Sequence, residues 1–82
     1  MKRITKRIVI DTIPKVKDFV KQTAKFLYEV DVSSGNHVAD GKSLMGLLSL
    51  DLSKPVAVSY AEDDAGLADI FLSKYFVKGG KG

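Results

Sequence analysis

Gly41-Lys42-Ser43-Leu44-Met45-Gly46-Leu47-Leu48-Ser49-Leu50-Asp51-Leu52 is the most apolar stretch of the chain, opened by a serine and closed by an aspartate. Ser43 carries the side chain of an N-cap, whose oxygen accepts from an otherwise unpaired N–H of the first helical turn. A helix is therefore expected to follow it. At about 1.5 Å per residue this helix is roughly 12 to 15 Å long, and Leu44, Met45, Leu47, Leu48, Leu50 and Leu52 surround much of its circumference. One buried face does not hold them all. The fold must either wrap this helix on most sides or leave part of its apolar surface in water, where it serves as a docking patch.

Before this stretch, Glu29-Val30-Asp31-Val32-Ser33 alternates with period two. Ser34-Gly35-Asn36-His37 then supplies turn residues for a hairpin into Val38-Ala39-Asp40. Earlier still, residues 3 to 10 read as a strand with Ile4, Ile8 and Ile10 opposite Arg3, Thr5, Arg7 and Val9. Asp11-Thr12 offers capping side chains, and Pro14 fits a first helical turn because its missing N–H would be unpaired there. A helix is expected from here to near Tyr28, with Val16, Phe19, Val20, Phe26 and Leu27 inward and Lys15, Lys17, Asp18, Lys21, Gln22 and Lys25 outward.

Beyond the leucine-rich stretch, Pro55 suits only the start of a strand, and Val56, Val58 and Tyr60 alternate with Ala57, Ser59 and Ala61. Glu62-Asp63-Asp64 places acids at the start of a last helix, where its dipole favours them, with Leu67, Ile70, Phe71 and Tyr75 as the inner stripe, widened by Leu72 and Phe76. Lys78 to Gly82 is expected to be a frayed tail. The order is β-α-β-β-α-β-α. Strands with one apolar face and three helices to cover it make a two-layer α+β open-faced sandwich over residues 1–82 as one domain.

At 82 residues such a domain buries about 60 to 65 % of its extended surface, a modest core. The absence of cysteine excludes disulfides and thiolate chemistry and, with no signal-like apolar run, points to a reducing cytoplasm. No stretch approaches the ~20 apolar residues of a membrane span. Thirteen Lys and Arg against ten Asp and Glu give a net charge of +3. The positive charge gathers in Lys2, Arg3, Lys6, Arg7, Lys15, Lys17, Lys21 and Lys25, a basic patch. It lacks interleaved aromatics and a reading motif, so an acidic protein partner is favoured over nucleic acid.

No constellation for catalytic chemistry stands out. There is one histidine, no cysteine and no glycine-rich phosphate loop. His37 falls at a hairpin tip with no second histidine or convergent carboxylate near it, which argues for a turn residue rather than a metal ligand or base. The acids 62–64 have an electrostatic reason to stand at a helix start, which argues against a cation site. No cofactor or metal is implied and the chain reads as a non-enzyme. Ser43 differs: a phosphate on its hydroxyl would meet unpaired N–H groups beside Lys42, and so make a readable switch next to Met45 and Leu48.

Lys42-Ser43-Leu44-Met45-Gly46-Leu47-Leu48-Ser49-Leu50 closely resembles the regulatory-serine segment of the HPr family, the histidine-containing phosphocarriers of the bacterial sugar phosphotransferase system and their catabolite-repression paralogues. The resemblance implies a four-stranded antiparallel sheet in the order 1-4-2-3 with three helices on one face. It implies that Ser43 matches the serine phosphorylated by HPr kinase in Gram-positive bacteria, that Met45 and Leu48 match exposed partner contacts, and that Gly46 and Lys42 belong to the same surface. Leu44, Leu47 and Leu50 are left as core. One departure is large. Family members carry phosphoryl on a histidine in a Gly-Ile-His-Ala-Arg-Pro-like motif entering the first helix, whereas here the region reads Ile10-Asp11-Thr12-Ile13-Pro14-Lys15. Thr12, Pro14 and Lys15 thus mark a degenerate phosphocarrier region. The expectation is a regulatory protein-binding module of carbohydrate phosphotransferase or catabolite control, with protein partners of that system, HPr kinase among them. The alternatives are a phosphocarrier with a non-histidine acceptor, and a small anion or nucleic-acid binder using Lys15, Lys17, Lys21 and Lys25.

Overall fold

Hydrophobic alternation along four short segments builds the sheet of the computed structural model, which describes residues 1–78. The strands are β1 (Arg3–Ile8), β2 (Asp31–Ser34), β3 (His37–Asp40) and β4 (Val56–Ala61). All neighbours are antiparallel and the order is β1-β4-β2-β3. Pairing of Ile4 with Tyr60, Lys6 with Val58 and Ile8 with Val56, then of Val32 with both Val58 and Ala39, puts one set of side chains on the helix side. Arg3, Thr5, Arg7, Ala57, Ser59, Asp31 and Ser33 share the other, open face. This is the α+β open-faced sandwich expected from the sequence.

The β2–β3 hairpin closes through Gly35-Asn36 between the paired Ser34 and His37. Gly35 has φ +60 and no other described residue has positive φ, as a two-residue turn with glycine at its first position requires.

Three helices cover the apolar face: α1 (Ile13–Thr23), α2 (Leu44–Leu48) and α3 (Ala65–Phe71), the last flanked by single 3-10 turns at Glu62–Asp64 and Ser73–Tyr75. Ile8, Ile10, Val16, Phe19, Val30, Val32, Leu47, Val58, Tyr60 and Leu72 form the centre of the core. Phe19 meets Tyr75 and Phe26 meets Tyr60 edge to face, with centroids 6.2 and 6.1 Å apart. The C-terminal segment returns to β1, where the Val77 N–H donates to Arg7 O and the Val9 N–H to Tyr75 O.

Several boundaries differ from the sequence reading. The first strand ends at Ile8 and β2 begins at Asp31. Helix α1 stops at Thr23 rather than near Tyr28. Phe26 is still buried, but Leu27 is 75 % exposed, because the chain leaves the helix and is held by the Asp64 carboxylate, which accepts from the Leu27 and Tyr28 N–H groups at 3.1 and 3.0 Å. Helix α2 is only five residues long, much shorter than its apolar run; Leu50 and Leu52 pack on the core from the turn that follows. The last helical segment buries Asp64, Ala68, Leu72 and Tyr75 while Ile70 is 71 % exposed. The buried stripe of α3 runs through Ala68 and Leu72, and Ile70, two residues from each, falls on the opposite side of the helix. Of the expected tail, Lys78 is exposed and residues 79–82 lie outside the described residues.

Candidate functional site

Helix α2 is positioned by its cap and by the close approach before it. Ser43 is extended (φ −115, ψ 116) and its Oγ accepts from the Gly46 N–H at 3.1 Å, the N-cap geometry its position predicts. A Cβ on Gly46 would lie 3.3 Å from Ser43 Oγ and 3.6 Å from Ala39 Cβ, so glycine lets the helix sit against β3 with its cap intact. Gly41 is buried, and a Cβ there would meet Val30 Cγ1 at 2.6 Å. Its carbonyl accepts from the Thr23 hydroxyl at 2.7 Å, which ties the start of this segment to the last turn of α1.

Along α2 the environments divide sharply. Leu47 is fully buried, Leu44 is half-buried, Leu48 is 41 % exposed and Met45 is 79 % exposed. The surplus of apolar residues thus ends in water at Met45 and Leu48. Lys42 is not a loose cation beside Ser43. Its N–H donates to Asp40 Oδ1 and its ammonium to the Phe26 carbonyl, both at 2.9 Å.

Thr12, Pro14 and Lys15 lie at the N-terminal end of α1. Thr12 is its N-cap, with Oγ1 accepting from the Lys15 N–H at 3.3 Å, and Pro14 stands in the first turn. Asp11 Oδ1 accepts from the Lys15 ammonium at 3.0 Å. That hydrogen bond is the main reason the Asp11 carboxyl lies below the usual carboxylate range. An ionised carboxylate with its own cation therefore flanks the helix entrance. The bond from the Thr23 hydroxyl to the Gly41 carbonyl places Gly41 beside the last turn of α1, whereas Thr12 caps its first.

His37 is exposed at the start of β3, one edge of the sheet, whereas Thr12 follows β1, the other edge. Three strand spacings of about 4.8 Å, roughly 14 Å, separate the two edge strands. Among the described residues no group of His, Cys, Asp or Glu is placed to hold a metal ion, and no helix is long and apolar enough to cross a membrane. Asp64 of the acidic run is fully buried and serves the 27–28 loop, not the dipole of a helix alone.

The basic patch is split by the fold. Arg3 lies on the open face, with its guanidinium donating to Ser59 O at 2.9 Å and to Glu29 O at 3.0 Å. Lys6 turns to the helix side, 5.7 Å from the Phe76 ring centroid. Lys25 stands 3.9 Å over the Phe71 ring, and Lys15 is paired with Asp11. Lys17 and Lys21 continue the outer face of α1.

Thr23, Asp64 and Asp18 have bonding roles that the sequence pattern alone does not give. Asp18 accepts from the Tyr75 hydroxyl at 2.5 Å, the Lys74 ammonium at 2.9 Å and the Gln22 amide at 3.0 Å. Thr23 was signalled by being a hydroxyl on the inner stripe, which burial obliges to find a partner. Asp64 and Asp18 bind groups 36 or more residues away, and no local pattern marks such pairs.

No family model and no curated protein matches the chain. Among solved structures it is similar to the crystal structure of HPr-C-His from Thermoanaerobacter tengcongensis, with a TM-score of 0.65 and 28 % identity over 90 % of this chain and 94 % of that one. The fold is HPr-like, and the likeness supports a relationship to the phosphocarrier family.

Proposed function

We propose that this HPr-like chain is a protein-binding module of carbohydrate phosphotransferase or catabolite control that does not carry phosphoryl on histidine. It works in the cytoplasm and is not a catalyst. Its docking surface is the exposed side of α2, formed by Met45 and Leu48 with Gly46 and Lys42 at their margin. The observation that carries the reading is the 79 % exposure of Met45 beside a fully buried Leu47. A thioether in water is an apolar contact awaiting a partner, and its unbranched chain adapts to the surface it meets.

Ser43 is the control point. Transfer of the γ-phosphoryl group of ATP forms an ester at Oγ, releases ADP and passes the hydroxyl proton to a base of the kinase. The phosphate adds about two negative charges within two residues of Met45. Its oxygens replace the hydroxyl as acceptor for the Gly46 N–H. The five-residue α2 contributes little dipole, so the effect on binding is local charge rather than a change of fold.

Phosphoryl transfer through the Thr12 region is not part of this function. Asp11 repels an anionic donor there, Lys15 is already paired, and a hydroxyl lacks the imidazole nitrogen whose phosphoramidate is readily passed on.

Incubation with HPr kinase and ATP, followed by weighing of the intact protein, tests the switch. One added phosphate that disappears in Ser43→Ala is expected; an unmodified protein removes Ser43 as control point and leaves the docking surface to be tested by Met45→Asp. Enzyme I with phosphoenolpyruvate is expected to leave no acid-labile label, and such a label on Thr12 or His37 would establish the phosphocarrier reading instead.

A further inference from the structure

We draw no further inference here: the strongest candidate, the groove lined by Glu29, Asp31, Val38, Ala39 and Asp40 beside the β2–β3 hairpin, is an acidic cluster in which Asp31 already pairs with Arg3 and Asp40 already accepts from the Lys42 N–H, and nothing in the structure shows what would occupy it.

Discussion

The ammonium of Lys42 donates to the Phe26 carbonyl at 2.9 Å, so the cation next to Ser43 holds the loop between α1 and β2. The same loop is gripped from the other side by Asp64. Lys42→Met keeps the aliphatic stem and removes the donor. Loss of one such hydrogen bond costs about 0.5 to 1.5 kcal/mol, and the expected local sign is faster amide exchange at Leu27 and Tyr28. Unchanged exchange at both amides would show that Asp64 alone holds the loop.

Ser43→Ala removes the acceptor for the Gly46 N–H. A lost N-cap costs about 1 kcal/mol, to be read as a lower urea midpoint with an unchanged slope. Ser43→Asp restores an acceptor at the cap and should recover most of that loss. A variant in which alanine is as stable as serine would mean that α2 is held by Leu47 alone.

Met45 and Leu47 are two positions apart and should respond in opposite ways. Met45→Asp sits in water and is expected to change stability by no more than about 0.5 kcal/mol, while abolishing binding to a partner captured by the unmodified protein. Leu47→Ala opens a cavity in the core and costs about 2 to 5 kcal/mol. Paired denaturation and binding measurements on both variants separate the surface from the core; retained binding by a folded Met45→Asp protein would exclude this face as the interface.

Gly41→Ala introduces a methyl 2.6 Å from Val30 Cγ1 and 3.0 Å from the Val30 carbonyl. The carbonyl also accepts from the Gly41 N–H, so the backbone has little room to retreat. Overpacking of this kind costs about 1 to 3 kcal/mol. Thermal unfolding measures it, and the added variant Val30→Ala should relieve part of the loss if contact with Cγ1 is its cause.

The Asp18–Tyr75 pair makes stability depend on pH at both extremes. The Tyr75 hydroxyl first, then Lys74 and Gln22, hold the Asp18 carboxyl well below its ordinary value. A depressed carboxyl contributes stability above its unfolded pKa, near 3.9, and that contribution is lost as the pH falls through the folded value. Burial first, and then Asp18, push the Tyr75 phenol well above its ordinary value. Its contribution is present below about pH 10 and is lost as the pH rises through the folded value. Tyr75→Phe should therefore be less stable than the parent by about 1 kcal/mol near neutrality, with the gap closing in strong acid and strong alkali. A gap independent of pH would assign it to packing of the ring instead.

Much of the site was legible because its causes are local. The serine before the apolar run is the N-cap it was read to be, since capping is settled within three residues. Thr12 and Pro14 open α1 for the same kind of reason. Ile70 meets water because Leu67, Ile70 and Phe71 fit a helical stripe as well as Ala68 and Leu72 do, and only packing selects between the two. Tyr28 lies outside the helix because the acceptor that draws the chain away, Asp64, lies 36 residues further on, beyond the reach of any local pattern.

By itself the sequence determined the order of elements, the apolar side of each strand and the absence of an imidazole at the entrance to the first helix, because alternation, caps and residue identity need no distant partner. Only the tertiary structure decided that Leu50 and Leu52 reach the core from the turn after α2 and that Leu27 and Ile70 meet water. It also decided that the basic residues divide between two faces and that Gly41 is tied to the end of α1 opposite Thr12. Those outcomes depend on which element packs against which, and a helix of five residues has only one side turned to the sheet.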